Sequence, residues 1–594
     1  MKTVYLENDV SPIDKKYIAV QNIVQSYDGI QDAKHLFIRK RIVNDVVFHS
    51  TDTYINFFHY SRWKYLTCID SFFLKIECSG KGIIYLYAVS PENIACDKKN
   101  CINNATLIDS CVFYDEGKHC WTFEIKGYHD LYFLAWSNKT SDRFKITSAF
   151  YICYDCLCLP DVRIAIITPT FRNNKDVIHR AKKYRKFCKD NANFQKFLHL
   201  FIVNNEIKDA DCLSVCERSG ISLINNKSNI GGAGGFAQGV QIALEQGDFT
   251  HVLFMDDDAL VHEESWFRTV SLLKLLKQEF RHHPISGAMF LREEPSFCHA
   301  MIEVLNCHLL AECLCGSEKL DASDSCSRFL SNGHAVFNEL YKSEGKAPYP
   351  YAPWWYCVYP IETFAKHGYP GPFFFRGDDM EYALRLKKVP LFINGICVWH
   401  PDFTKKYSLL RVYLNFRNYA LRCIIHLKNY KREILKFYCR YISRALAAND
   451  YEKVATIILG IEDCIKFNAV PREGEKLIPH VNNATTRWKN KEEKIFSCDR
   501  QANVIQSRNS WFSFFCVIAT LGGVLVPRIL MHSYTVAPFL QVKGRWASAR
   551  TSYPGESVAR CMQERKSFSL CIRALCSITK FLFTKNLKQN IELF

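Results

Sequence analysis

The chain has little that would carry it out of a cell or through a bilayer. Its opening, MKTVYLENDVSPIDKK, holds no apolar core of the kind a secretion signal needs, so the expected location is the cytosol. The apolar run WFSFFCVIATLGGVLV, Trp511 to Val526, stops at Pro527 and Arg528 after 16 residues. That is short of the roughly 20 that span a membrane, and it reads as a buried helix, an interfacial segment or a short membrane dip. Acidic residues are the scarcer charge, 60 against 77 Lys and Arg, and the net charge of +17 favours an anionic partner. Nucleic acid is set aside as that partner, because no recognition motif is present and the basic residues are scattered. Cysteine is plentiful, at 27, but in the cytosol it reads as reduced thiol. The one cluster with ligand-like spacing, Cys153, Cys156 and Cys158 in YICYDCLCLP, lacks a fourth ligand for zinc, and alternating small apolar residues in a strand explain the same pattern.

What is present suffices for several folded units. A chain of 594 residues exceeds one core, and 48% hydrophobic with 23% charged residues is the balance of folded protein. Between about residues 35 and 150, stretches such as GIIYLYAVS and DLYFLAWS alternate between turn formers and predict an antiparallel sandwich. From Asp161 the texture changes. VRIAIITPTF and FLHLFIVNN read as buried strands, NKDVIHRAKKYRKF as a basic helix, and GISLINNKSNIGGAGGFAQGVQIALEQG with THVLFMDDDAL continues the alternation of an open parallel α/β sheet. Ligands of such sheets lie at the carboxyl ends of the strands. After about residue 405 the pattern turns helical. The last stretch, residues 541–594, holds ten Lys/Arg and three Asp/Glu among apolar residues, a net +7 that suits either an anionic membrane surface or a helix packed on its own domain.

Three motifs carry chemistry. NIGGAGGFAQG, Asn229 to Gly239, offers a backbone that can approach a phosphate and a helix start that can receive one; it is not a Walker loop, since no Lys-Ser/Thr pair follows. In VLFMDDDALV three carboxylates, Asp256, Asp257 and Asp258, end an apolar strand, where unpaired charges are costly. The spacing Asp256-x-Asp258 can present two carboxylates to one hard cation, with Asp257 free to accept hydrogen bonds elsewhere. In GPFFFRGDDMEYALRL, Asp378 and Asp379 open a helix, where one suits a cap and the other a general base. His400, in GICVWHPDF, follows another strand and can complete a metal shell. In YPYAPWWYCVYP, Trp354 and Trp355 cannot easily share one core if the segment is extended, so one ring is expected to face a cleft.

Taken in order, TPTFR, NIGGAGGF, FMDDDA, APWWY, RGDDMEYALR and VWH resemble the bacterial UDP-galactofuranosyltransferases, inverting enzymes of GT-A fold that build galactan on lipid-linked acceptors. TDTYINFFHYSRWKYLT, Thr51 to Thr67, is similar to a signature of that family's N-terminal β-sandwich. The resemblance implies an α/β GT-A (Rossmann-like) catalytic domain over 156–405, after an N-terminal β-sandwich over 1–155 and before a helical C-terminal region over 406–594 that touches a membrane surface. It implies Mn²⁺ or Mg²⁺ held by Asp256, Asp258 and His400, and Asp379 as the base with Asp378 beside it. Phe171, Arg172, Asn205, Asn229, Asp256 and Asp257 would hold the donor, and Trp354, Trp355, His299 and Glu303 the acceptor. The partners implied are a UDP-sugar and a lipid-linked or polysaccharide acceptor; the place, the cytoplasmic face of the cell membrane; self-association is left open. Asn204-Asn205 stands where the family usually carries Asp-Gln. The rival expectations are a GT-A transferase of rhamnose, glucose or galactopyranose, and a non-catalytic carbohydrate- or lipid-binding protein.

Overall fold

The computed structural model describes residues 17–23, 36–90, 104–127, 129–139, 143–154, 160–206, 208–218, 220–314, 318–319, 348–403, 407–447, 450–466, 470, 472–486, 488, 565–584 and 587. The apolar run 511–526 and two of the three clustered cysteines, Cys156 and Cys158, lie outside the described residues. Cys153 is buried, and its thiol donates to the Ile18 carbonyl at 3.8 Å.

The first strands form two antiparallel sheets. One runs Tyr17–Asn22, Lys145–Tyr154, Phe72–Ser79, Lys118–Ile125 in spatial order. The other runs Arg39–Val43, Val46–Ser50, Leu131–Lys139, Gly82–Val89, Thr106–Phe113, with the short Phe58–His59 also paired to Leu131–Lys139. The period-2 alternation is visible in Phe72–Ser79, where Phe72, Leu74, Ile76 and Cys78 are buried and their neighbours are not. These residues join Ile84, Leu86 and Leu134 of the other sheet in one apolar cluster.

The central sheet is doubly wound. Ser222–Asn225, Leu198–Asn204, Ile164–Thr170 and His251–Phe254 lie side by side and parallel, extended by Cys357–Pro360 and Ile285–Ser286, which pair antiparallel. All seven residues of Ile164–Thr170 are buried, which explains why the strand reads as an unbroken apolar run rather than an alternating one. The helices Asn174–Asp190, Ala210–Arg218 and Gly231–Gln246 make the crossovers. Gly239 permits the last of these to lie close to the sheet, since a Cβ there would fall 2.3 Å from Cγ2 of Ile167. A second sheet places Leu260–Val261, Cys397–His400, Ala288–Leu291, Phe297–Ala300 and Glu318–Lys319 in that order.

The two β-sheet regions meet through a buried polar seam. On the helix Glu263–Leu275, Glu264 accepts from the backbone N–H of Asn22 at 2.9 Å, its Nδ2 at 2.8 Å and Nε of Arg268 at 2.6 Å. Asn394 Nδ2 donates to the carbonyls of Tyr54 and Phe57 at 3.1 and 2.6 Å. The stretch Thr51 to Thr67 thus gives this seam two backbone carbonyls, while its Thr53 and Asn56 side chains donate to the Phe37 carbonyl.

Contacts divide the chain into two compact units: Met1–Lys227, Gly234–Pro370 and Tyr382–Phe403 form the first, and Ser228–Ala233, Gly371–Glu381 and Thr404–Phe594 the second. The second is built on the helices Leu409–His426, Tyr430–Ala447, Tyr451–Ile465, Gly474–Thr486 and Arg565–Phe583. Ser408 and Asp450 cap two of them by accepting from the N–H of Arg411 and Lys453. Arg565–Phe583 buries Leu570, Ala574, Ile578 and Phe581, and its Arg573 grips Glu462 at 3.0 and 2.6 Å, while Ile572, Leu575, Leu582 and Phe583 stay exposed. Among the described residues no helix is long and apolar enough to cross a membrane.

Candidate active site

In the first unit the carboxyl ends of the parallel strands collect most of the singled-out residues. The strand His251–Phe254 delivers Asp256, Asp257 and Asp258 just beyond its end. The positive charge their crowding requires is Arg180, from the helix Asn174–Asp190. It is 4% exposed and donates to Thr168 Oγ1 at 2.7 Å and to the carbonyls of Asp256 and Ala259, each at 2.5 Å. Burial draws its pKa down to about 10, against the pull of all three aspartates. Asp257 accepts from the Thr170 hydroxyl at 2.7 Å, and its carboxyl is pushed up to about 6 by burial and then by repulsion from Asp258. Sequence reasoning missed Arg180 and Thr170. Arg180 sits among Arg172, Lys175, Lys182, Lys183, Arg185 and Lys186, and nothing local marks it as the basic residue that turns toward the aspartates.

His400 ends the strand Cys397–His400 with 2% exposure. Its Nε2 lies 2.8 Å from Asp258 Oδ1 and 3.7 Å from Asp256 Oδ2. Ligand atoms of these three residues all fall within 4.8 Å of one another. Nδ1 donates to the carbonyl of Pro401 at 2.8 Å, which fixes the ring and turns the Nε2 lone pair toward the carboxylates. Two carboxylates and one imidazole on a common centre fit Mn²⁺ or Mg²⁺.

At the neighbouring strand ends, Asn204 and Asn205 are buried. Asn204 Nδ2 donates to Asn225 Oδ1 at 2.8 Å, and Asn205 Oδ1 accepts from Asn226 Nδ2 at 2.9 Å. The two form a neutral amide ladder. Phe171 is 38% exposed, and Arg172, at φ +57°, lies over its ring and grips Glu206 at 3.1 and 2.9 Å. A left-handed non-glycine residue at a strand end is the kind of strain that functional turns retain.

The tryptophan expectation needs correcting. Both rings are 4% exposed, because the turn that carries them sends each into a different apolar cluster. Trp354 packs with Phe236, Phe254 and Tyr382 and donates to Tyr359 Oη at 3.1 Å. Trp355 donates to the Gly287 carbonyl at 2.8 Å and packs against His299 and Phe403. Phe403 in turn meets the ring of His400 at 4.5 Å, so Trp355 and His299 are linked to the metal candidate through one aromatic side chain. His299 Nε2 is 3.6 Å from Glu303, whose other oxygen accepts from the Tyr351 hydroxyl.

The second unit holds Asn229, Asp378 and Asp379. Asn229 Oδ1 accepts from the N–H of Gly231 at 2.9 Å, while its backbone exchanges bonds with Glu475 and Gly474. Asp378 is buried at the start of the helix Asp378–Leu386, and burial raises its carboxyl to about 6. Asp379 is less buried and accepts from the N–H of Met380 at 2.8 Å. Glu381 is buried against His426 at 3.0 Å.

No family model matches the chain. Over 430 residues it is 23% identical to galactofuranosyltransferase GlfT2 of Mycobacterium tuberculosis, covering 69% of this chain and 64% of the relative. Over 425 residues it is 23% identical to GlfT2 of Mycolicibacterium smegmatis, covering 69% and 63%. The match thus spans less than two thirds of either relative's length. Among solved structures, a mannosyltransferase from Pyrobaculum calidifontis in complex with GDP-Man and Mn²⁺ matches at 12% identity and TM-score 0.29, covering 71% of this chain and 88% of that one. Residues 1–349 of TarS from S. aureus match at 11% identity and TM-score 0.31, covering 55% and 88%. The class that the two GlfT2 relatives define is the glycosyltransferases. Within it, the similarity is to galactofuranosyltransferases.

Proposed function

We propose that this chain is a metal-dependent inverting glycosyltransferase that moves galactofuranose from UDP-galactofuranose to a glycan or glycolipid acceptor in cell-surface polysaccharide synthesis. Its architecture on this reading is a GT-A catalytic domain between an N-terminal β-sandwich and a C-terminal helical region. The observation that carries the reading is the convergence of Asp256, Asp258 and His400 on one centre at the carboxyl ends of a parallel sheet.

Asp256, Asp258 and His400 hold Mn²⁺ or Mg²⁺, which supplies charge to the departing diphosphate. Phe171, Arg172, Asn205, Asn229 and Asp257 retain the donor. His299 and Glu303 bind acceptor hydroxyls, with Trp354 and Trp355 behind them as buried supports. Asp379, with Asp378 beside it, takes the proton of the attacking hydroxyl. The new C–O bond forms on the face of the anomeric carbon opposite the bond to phosphate, which breaks to release UDP, so the configuration inverts. The exposed apolar residues of Arg565–Phe583 and the basic character of the tail support contact with the anionic inner face of the cell membrane.

The test is UDP release from a panel of nucleotide sugars, in Mn²⁺ and in chelator, with wild type beside Asp258→Ala. Metal-dependent turnover confined to UDP-galactofuranose, lost in Asp258→Ala, is expected. Turnover of a different sugar nucleotide would overturn the donor and keep the class. No turnover of any donor with a lipid-linked galactan acceptor supplied would overturn the enzymatic reading.

A further inference from the structure

The segment leading into Asp378 and Asp379 is held in a backbone that side-chain-bearing residues rarely adopt. Phe374, Arg376 and Gly377 have φ of +71°, +72° and +79°. Such a conformation persists only where its surroundings over-determine it, and here every carbonyl from 373 to 377 has a donor. Asn418 Nδ2 donates to the carbonyls of Phe373, Phe375 and Arg376 at 3.0, 2.9 and 2.7 Å. Phe374 accepts from the N–H of Ala233 at 3.1 Å, and Gly377 from that of Glu381 at 3.0 Å, the first bond of the acidic helix.

Asn418 is itself fixed. Arg417 Nε donates to its Oδ1 at 2.9 Å while an Arg417 terminal nitrogen donates to the Phe373 carbonyl at 2.8 Å. The guanidinium stands 5.4 Å from the centre of the Tyr413 ring, whose hydroxyl donates to Asp463 at 2.7 Å. Arg417 and Asn418 are 2% and 1% exposed. A buried carboxamide on three carbonyls of one strained turn is more than a helix needs for its own packing. It sets the direction in which the acidic helix starts.

We infer that Asn418, oriented by Arg417, is a positioning residue that aims the Asp378–Asp379 carboxylates; this rests on Asp379 being the base. A base must stand within hydrogen-bond reach of the hydroxyl it deprotonates, and a misplacement near 1 Å costs about 100-fold in rate.

The experiment uses the full chain, with UDP release measured for wild type, Asn418→Ala, Asp379→Asn and the double variant, each beside a melting curve. Expected for Asn418→Ala is a kcat lower by about 100-fold with donor KM within about twofold. In the Asp379→Asn background the same change should cost nothing further, since a group acting through Asp379 has no independent effect. Asn418→Gln, which retains the amide, should recover part of the loss. If Asn418→Ala shows no folded transition, Asn418→Ser, with one donor left, enters the same cycle. Near-normal turnover of Asp379→Asn would remove the base reading and this inference with it. A strongly impaired Asp379→Asn together with an Asn418→Ala kcat within about threefold of wild type, or losses that multiply in the double variant, would overturn the positioning role alone.

Discussion

Replacing Arg180 with methionine should destabilise the first unit sharply, because the guanidinium is the fixed cation beneath three crowded carboxylates. Its three hydrogen bonds, to Thr168 Oγ1 and the carbonyls of Asp256 and Ala259, come from a charged donor, and such bonds contribute about 1.5–3 kcal/mol each. The gross sum overstates the effect, since burial already lowers the pKa of Arg180 to about 10 and methionine recovers part of the packing. Removing one partner of a buried charged group costs about 3–5 kcal/mol, and about 4 kcal/mol is the working figure. For a unit as large as Met1–Lys227, Gly234–Pro370 and Tyr382–Phe403 together, an unfolding entropy of about 2.1 cal/mol/K per residue converts this to a melting temperature lower by about 5 °C in chelator. Arg180→Lys keeps a charge, but a single ammonium cannot reach all three acceptors, so it should lose about half as much. Differential scanning fluorimetry of the full chain, with EDTA and with Mn²⁺, is the assay. A cation on Asp256 and Asp258 relieves the same repulsion, so Mn²⁺ should raise the melting temperature of Arg180→Met by more than that of wild type. A melting temperature for Arg180→Met within about 2 °C of wild type in EDTA would refute the counter-ion reasoning.

Other consequences are as direct. Trp355→Ala removes a ring packed on His299 and Phe403 and the bond to Gly287, and should cost about 3–5 kcal/mol in urea unfolding, with Trp355→Phe recovering much of it; a cost below about 1 kcal/mol would count against the packing. Gly231→Ala places a Cβ 2.2 Å from the Phe374 carbonyl at a φ of +74°, so the chain should lose donor turnover while melting only slightly earlier; unchanged turnover would show that this turn yields. Burial lowers His251 to about 4 from the ordinary 6.5. The unfolded chain therefore takes up a proton that the folded chain refuses, and stability should fall as pH drops from 6.5 toward 4. Chemical denaturation of His251→Gln should flatten that slope, and an identical pH dependence in both proteins would contradict it.

Much of the architecture was written locally. Strand and helix periods separated the β-rich first region, the doubly wound sheet and the helices, because burial on one face or on both leaves a repeat of 2 or an unbroken apolar run. Asp256, Asp258 and His400 stood out for the same reason, as polar residues at the ends of apolar strands where water alone does not explain them. Partner choice was a different matter. Nothing in NKDVIHRAKKYRKF says which basic residue meets the aspartates, and only the parallel pairing of Ile164–Thr170 with His251–Phe254 brings the helix over the aspartate turn. Two tryptophans, one of them read as facing a cleft, are both core residues because each enters a different apolar cluster. Asn418 looks like any polar position of an amphipathic helix until residues more than 40 positions earlier bring three carbonyls onto it. Periodicity records how buried a residue is. Which group it meets there depends on register and layer order, and these are settled when the sheets and helices assemble.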